Sequence, residues 1–254
     1  MLVRRNSRFL GLTPEGERVL EWAKRLVADT RSMREEVRNF KKGLVGELRI
    51  AVIPTALPYA PVLTGLYQSL HPDVRITILS RSSIEIIEML GGLQADAGIT
   101  YIENENIGRL RSWPLYVERY RLLTTKGGPA AESQHVSWAE ASRLPLCLLT
   151  PDMQNRRILD KLMGVIGGSA ELCMLESDSL ISLMAHVRQG RWVTVVSESM
   201  ADLMVGTEPF RSIPITEPDA SFQVGLVTPD RQSMSPRIGA LIDAARQLAS
   251  RSPA

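Results

Sequence analysis

The stretch 46–60 constrains the fold most, because it joins a hydrophobic strand to the start of a helix. Apolar residues dominate positions 48–53, which lie between Gly46 and Pro54, and this pattern is typical of a short β-strand. Thr55 then suits the N-cap of a following helix. Free amides at a helix N-terminus that follows a strand bind small, often anionic ligands in α/β folds. The sequence therefore predicts a ligand site at this turn.

Strands and helices alternate after Gly46, which predicts an α/β fold with a largely parallel sheet covered by helices. Strands are predicted at 47–53, 74–80, 95–100, 114–124, 145–150, 171–176, 192–197, 211–215 and 221–228. Helices are predicted at 56–70, 82–92, 152–166, 178–189, 198–205 and 235–250. The Gly-Gly-Pro stretch at 124–129 is the predicted hinge within this region.

Residues 14–41 carry a heptad pattern that predicts one long helix. Thr13 and Pro14 supply its start, and a helix of this length spans about 40 Å. Its seam consists of residues spaced alternately by four and three: Val19, Ala23, Leu26, Thr30, Met33, Val37 and Phe40. We expect this seam to pair two chains in a dimer, and packing on the chain's own body remains the alternative.

The charge of the chain is unevenly distributed. Residues 1–42 contain 11 Lys and Arg against 6 Asp and Glu, whereas the remainder contains 19 against 22. A basic N-terminal segment on a mildly acidic body favours contact with nucleic acid or an acidic surface, although a merely solvated helix face gives the same pattern.

The sequence predicts a cytoplasmic protein with no membrane partner. No apolar run approaches the roughly 18 residues that a membrane span requires, and the N-terminus does not resemble a secretory signal. Two cysteines, Cys147 and Cys173, do not make a disulfide scaffold.

Several motifs, in order and spacing, resemble the LysR family of transcriptional regulators over nearly the whole chain. Residues 2–8 with Leu-Thr-Pro-Glu-Gly at 12–16 resemble the family's basic wing and the start of its linker helix. The other matching segments are Gly-Leu-Val-Gly-Glu-Leu-Arg-Ile at 43–50, His-Pro-Asp-Val at 71–74, Leu-Gln-Ala-Asp-Ala-Gly-Ile at 93–99, Ser-Asp-Ser at 177–179, and Val-Arg-Gln-Gly at 187–190.

The resemblance implies a long N-terminal linker helix followed by a two-lobed effector domain, like a periplasmic binding protein of type 2. It places a remnant of the winged helix-turn-helix at 1–13 and the linker at 14–45. Lobe I is expected at 47–124 and 221–254, and lobe II at 125–220. Because the chain begins at the wing, we expect specific DNA reading to require a form extended at its N-terminus.

The implied function is that of a ligand-responsive, DNA-binding transcriptional regulator. A small, anionic effector between the lobes changes the arrangement of a homodimer or homotetramer, and RNA polymerase is a further candidate partner. No cofactor or metal is expected. Effector contacts are predicted at Thr55, Ala56, Arg81, Ser82, Ser83, Thr100, Thr150, Met153, Gln154, Arg156 and Ser197. DNA phosphate contacts are predicted at Arg4, Arg5, Arg8 and Thr13.

Other functions remain open at this point. The chain can be an interaction or small-molecule-binding protein that does not read DNA, or a solute-binding protein. A redox switch through Cys147 and Cys173 is disfavoured, because both lie in apolar strand positions. An enzyme is disfavoured too, because the three histidines are scattered and the sequence lacks a nucleophile elbow, a P-loop and a dinucleotide fingerprint.

Overall fold

The computed structural model describes residues 2–5, 8–103, 108, 110–165, 173, 175–206, 209–230 and 234–250. For 2–5, 8–10, 25, 28, 31, 32 and 35–42 it describes the backbone alone. The side chains of the predicted phosphate contacts Arg4, Arg5 and Arg8, and of the seam residues Val37 and Phe40, therefore lie outside the described set.

The alternation of strands and helices predicted from the sequence is confirmed. The helices are α1 (Pro14–Lys42), α2 (Ala60–Leu70), α3 (Ser83–Gly91), α4 (Trp138–Ala141), α5 (Gln154–Val165), α6 (Leu180–Val187), α7 (Glu198–Val205) and α8 (Pro236–Ala249). The strands are β1 (Leu2–Arg5), β2 (Arg8–Leu12), β3 (Gly46–Val52), β4 (Val74–Ser80), β5 (Ala97–Tyr101), β6 (Leu110–Thr125), β7 (Val136–Ser137), β8 (Cys147–Leu149), β9 (Leu175–Ser177), β10 (Thr194–Ser197), β11 (Phe210–Thr216) and β12 (Ser221–Pro229).

The N-terminal region consists of an antiparallel hairpin, β1 and β2, and the long helix α1. The predicted start of α1 is confirmed, because the Thr13 hydroxyl accepts a hydrogen bond of 3.2 Å from the Gly16 amide. The described seam side chains are exposed, with Val19, Leu26 and Met33 at 50%, 64% and 58%. Packing of this seam on the chain's own body is therefore wrong for these three residues.

The body consists of two lobes that share the strand β6. Lobe I holds β4, β3, β5 and β12 in that order, with β3 parallel to both β4 and β5. Lobe II holds β7, β8, β9, β10 and β11, of which β10 and β11 pair with β6. The α/β class is confirmed, but a largely parallel sheet is wrong, because β12 runs antiparallel to β5 and to β6. The chain leaves lobe I along β6 and returns along β12, so neighbouring strands point in opposite directions.

The lobes meet within β6 and not at the predicted hinge. Residues 110–119 of β6 pair with β12, and residues 120–125 pair with β10 and β11. The stretch 124–129 is therefore a turn inside lobe II, where Gly128 donates to the Thr125 carbonyl. The pairing partner of β6 changes between Arg119 and Tyr120, and the lobe boundary at residue 124 stays a prediction.

Each lobe buries an apolar core on its sheet. In lobe I, Leu48 and Ile50 of β3 and Tyr67 of α2 are fully buried, and in lobe II Trp138 and Leu146 are buried. None of the described helices has the length and apolarity needed to span a bilayer. One cluster of buried apolar residues continues from lobe I into lobe II, and a second cluster, which includes Leu149 and Leu183, lies in lobe II alone.

Candidate functional site

A cleft of about 190 Å³, including its open mouth, lies where the two lobes face each other. Both lobes contribute residues that follow a strand or begin a helix. The residues that line it are Ile53, Pro54, Thr55, Ser82, Ser83 and Tyr101 from lobe I, and Leu149, Met153, Gln154 and Asn155 from lobe II. These ten residues define the cleft.

The turn that carries Thr55 is a single 3-10 turn, Pro54–Ala56, and not the start of α2. Thr55 as a helix N-cap is therefore wrong, since α2 begins at Ala60. The amides of Leu57, Tyr59 and Ala60 donate to carbonyls three residues back, so the chain stays in 3-10 turns until α2 begins. Ala56 is fully buried and is not among the residues that line the cleft.

Thr55 nevertheless lies where the prediction puts it, at the cleft wall. Its side chain is 1% exposed and its hydroxyl lies 3.2 Å from the Tyr101 hydroxyl. Its carbonyl accepts a hydrogen bond of 3.0 Å from the Ser197 hydroxyl of lobe II. Ser197 is thus an interlobe contact, and it is not among the cleft residues.

The N-terminus of α3 faces the cleft from lobe I. Ser82 caps the helix: its hydroxyl accepts from the Glu85 amide at 3.3 Å, and its own amide donates to the Glu85 carboxylate at 2.8 Å. Ser83 accepts a hydrogen bond of 3.0 Å from Thr100. Thr100 therefore supports Ser83 from behind and does not line the cleft. Helix geometry leaves the first amides of α3 without partners inside the helix, and Ser82 and Ser83 at this end of it line the cleft.

The N-terminus of α5 faces the cleft from lobe II. Gln154 lines the cleft and its side-chain oxygen accepts a hydrogen bond of 2.9 Å from Arg157. Asn155 is 4% exposed, and its amide nitrogen Nδ2 makes no hydrogen bond of normal geometry within the described part of the chain. A buried donor without a partner costs free energy unless a ligand or water satisfies it. Sequence reasoning missed Asn155, although it adjoins a predicted contact.

Three predicted effector contacts lie elsewhere. The Arg156 guanidinium is buried under α5, where it donates to Asp160 at 2.7 Å and to Glu176 at 2.6 Å. Arg156 lies two residues after Gln154 in α5. Because each residue turns an α-helix by about 100°, its side chain leaves the helix on the side opposite to Gln154. Arg81 donates to its neighbour's carbonyl, Ser80 O, at 2.7 Å. The Thr150 hydroxyl is buried and does not line the cleft.

A buried carboxyl group lies directly behind the cleft and was not predicted. Glu118 of β6 is 2% exposed and accepts hydrogen bonds from the hydroxyls of Tyr101 and, at 3.4 Å, Tyr116. The Tyr120 hydroxyl lies 3.1 Å from the Tyr101 hydroxyl. The sequence signal was Tyr-x-Glu-x-Tyr at 116–120, a period of two that places all three side chains on one face of a strand.

Burial controls the acid–base behaviour of this group. Burial raises the pKa of Glu118 from 4.5 to about 7, although hydrogen bonds from the surrounding hydroxyls act in the opposite direction. Burial and the charge of Glu118 also raise the pKa of Tyr101 and Tyr120 well above 10. The Asn155 amide is close enough to lower the pKa of Tyr120, so it adjoins the cluster even without a well-formed hydrogen bond.

The two cysteines are poor candidates for a redox switch. Burial raises the pKa of Cys147 to about 12, and it raises the pKa of Cys173 as well. The thiolate is the reactive form, so both thiols are largely unreactive at neutral pH.

Comparison with known proteins identifies the kind of domain. The family model of the LysR substrate binding domain matches residues 41–250. The regulator SsuR of Burkholderia cenocepacia, an HTH-type transcriptional regulator, is 23% identical over 203 residues, which are 80% of this chain and 66% of that protein. The chain thus spans slightly less than two thirds of that relative.

Two solved structures share the fold. A full-length OxyR variant from Pseudomonas aeruginosa matches with a TM-score of 0.72 at 22% identity and covers 96% of this chain and 79% of its own. The CcmR regulatory domain of Synechocystis PCC6803, solved in complex with 2-PG, matches with a TM-score of 0.71 at 16% identity and covers 82% of this chain and 100% of its own. The predicted two-lobed effector-domain fold is therefore confirmed.

Proposed function

The chain belongs to the LysR family, and we propose that it acts as a ligand-responsive, DNA-binding transcriptional regulator. A small anionic effector binds in the cleft and changes the arrangement of chains in a homodimer or homotetramer. One observation carries the proposal: the cleft joins the N-termini of α3 and α5 across the two lobes, beside the buried amide of Asn155, whose Nδ2 makes no hydrogen bond of normal geometry within the described part of the chain. A ligand that contacts both lobes stabilises one arrangement of them by population shift.

The chemistry of the cleft favours a small ligand with an anionic group. Helix N-termini present amide hydrogens and the positive end of the helix dipole, which attract carboxylates, phosphates and sulfates. Thr55, Ser83 and Asn155 add side-chain donors. No Arg or Lys lines the cleft among the described residues, so recognition depends on hydrogen bonds more than on ion pairing.

The effector proposal is tested by titration with sulfate. Thr55→Val keeps the shape of the side chain and removes its hydroxyl, so we expect a weaker affinity for sulfate by about tenfold, the effect of one lost hydrogen bond to a charged group. Thr228→Val is the matched control, because Thr228 is also 1% exposed, carries an unpartnered hydroxyl and lies outside the cleft. If the wild type and Thr55→Val bind sulfate with equal affinity, the Thr55 hydroxyl does not contact the bound anion.

The exposed apolar residues of α1 support oligomerisation. Val19, Leu26 and Met33 form one stripe, and Trp22 beside it is 63% exposed. A single chain leaves this surface in water, and a second copy of α1 covers it with the geometry of a coiled coil.

The regulator proposal is tested by duplex-binding titrations at two salt concentrations. This chain is compared with a form extended at its N-terminus by a helix-turn-helix segment. Sequence-dependent binding by the extended form, altered by an effector, is the expected result. If both forms bind weakly, without sequence dependence and with an affinity that falls steeply with salt, the chain contacts only DNA phosphates. That result would favour an interaction protein, and co-purification with RNA polymerase would then be expected to fail too.

A further inference from the structure

The Glu118 carboxyl group lies directly behind two residues that line the cleft: Tyr101, whose hydroxyl donates to it, and Thr55, whose hydroxyl also faces it. The Tyr101 hydroxyl contacts Glu118 on one side and lies 3.2 Å from the Thr55 hydroxyl on the other. Thr55 in turn lines the cleft. The three groups form a chain of hydrogen bonds from a buried carboxyl group to the wall of the ligand site.

The ionised form of Glu118 fixes the direction of this chain. A carboxylate only accepts hydrogen bonds, so Tyr101 must donate its single proton to Glu118. The oxygen of Tyr101 then accepts the proton of Thr55. In this state the Thr55 hydroxyl offers the cleft only its lone pairs.

The neutral form of Glu118 reverses the direction. The carboxyl O–H donates to Tyr101, and the proton of Tyr101 then points to Thr55 or to Tyr120, 3.1 Å away. The Thr55 proton becomes available to the cleft. An anion offers lone pairs alone, so it binds better to this form, and the loss of the negative charge of Glu118 acts in the same direction.

We propose that Glu118 is a positioning residue that couples the binding of an anionic effector to the uptake of one proton from solvent by its carboxylate. The bond formed is the O–H bond of the carboxyl group, and no other group changes its protonation state. This inference rests on the proposed function, because it takes the cleft as the effector site.

The surroundings of Glu118 leave its charge without a cationic partner. The groups that face it are the phenols of Tyr101 on β5, of Tyr116 and Tyr120 on β6, and the Thr55 hydroxyl. On the neighbouring β12, the residue opposite Glu118 is Phe222. Among the residues the structure describes, none forms an ion pair with Glu118. With its pKa raised to about 7, the carboxyl group changes charge within the range that binding assays reach.

The test is calorimetric titration of the whole chain with sodium sulfate, because the charge of sulfate is constant over the pH range used. Titrations at pH values from about 6 to 9, in buffers with different ionisation enthalpies, count the protons that accompany binding. For the wild type we expect uptake that approaches one proton per chain at high pH, and a Kd that rises about tenfold per pH unit above the pKa of Glu118.

Glu118→Gln mimics the neutral acid, because its amide can donate to Tyr101 and its oxygen can accept from Tyr116. We expect this variant to bind sulfate with no proton uptake and with a Kd that does not depend on pH. Glu88→Gln, an exposed change on α3, is the control and should behave as the wild type.

The outcomes separate the two proposals. Sulfate binding by the wild type without proton uptake overturns the role of Glu118 and leaves the effector site standing. Proton uptake retained in Glu118→Gln has the same consequence. Absence of sulfate binding at every pH overturns both proposals. If Glu118→Gln does not fold, the proton count of the wild type still decides the matter.

Discussion

Replacing Glu118 by glutamine should stabilise the protein at alkaline pH and not at acidic pH. In the folded chain the carboxyl group is 2% exposed, and burial raises its pKa from 4.5 to about 7. The folded state therefore binds more protons than the unfolded state between these two values. Linkage requires the free energy of unfolding to fall as pH rises through this interval, and Glu118 adds no further pH dependence at higher pH, where its full destabilising effect remains.

The size of the effect follows from the shift in pKa. One pKa unit corresponds to 1.36 kcal/mol, so a rise from 4.5 to about 7 corresponds to about 3 kcal/mol. Glutamine cannot ionise and keeps the shape and hydrogen-bonding capacity of the neutral acid. We expect Glu118→Gln to match the wild type near pH 4.5 and to exceed its free energy of unfolding by about 3 kcal/mol above the pKa of Glu118.

Urea unfolding at fixed protein concentration, followed by circular dichroism at several pH values, measures this difference directly. The comparison of variant with wild type at each pH cancels the contributions of other titrating groups. Glu88→Gln, at an exposed position, should show no such pH dependence. A difference between Glu118→Gln and wild type that stays constant from acidic to alkaline pH would refute the claim that burial raises the pKa of Glu118.

Three further predictions concern stability and assembly. Arg156→Met should lower the free energy of unfolding by about 2 kcal/mol, because it leaves two carboxylates unpaired beside a buried site, and urea titration measures this. Gly98→Val should cost about 1–3 kcal/mol by the same assay, because a Cβ at Gly98 would lie 2.5 Å from Ile86. If α1 forms the proposed interface, Leu26→Asp should lower the mass measured by light scattering, whereas Arg34→Asp, exposed and outside the seam, should not. An unchanged mass for Leu26→Asp would contradict an interface through α1.

The fold was largely predictable because its signals are local. Period-two and heptad patterns define single strands and helices, and the helix predicted at 82–92 agrees with α3 at Ser83–Gly91. The start of α2 was misplaced, because Thr55 and Pro58 together resemble a helix start and the sequence alone does not distinguish a 3-10 turn from it. A Gly-rich turn such as 124–129 is visible in sequence, whereas a continuous strand shared by two lobes, such as β6, is not.

The candidate site was predictable where it depends on strand ends, and not where it depends on side-chain direction. Thr55, Ser82, Ser83, Met153 and Gln154 were predicted and line the cleft. Residue type alone could not show which polar side chains line the cleft. Ser83 at the start of α3 lines it, whereas the guanidinium of Arg156 in α5 is directed away from it, toward Asp160 and Glu176. Whether these residues contact an effector stays a prediction.

The cluster around Glu118 could not be recognised, because it requires knowing which strands are adjacent. Tyr101 lies on β5, separated by one strand from β6, and the two meet Thr55 only after folding. That meeting places Thr55, which lines the cleft, beside Tyr101 through its hydroxyl and beside Ser197 of lobe II through its carbonyl. Because Glu118 also directly precedes the point where β6 passes between the lobes, we expect protonation, effector binding and the relative position of the lobes to change together.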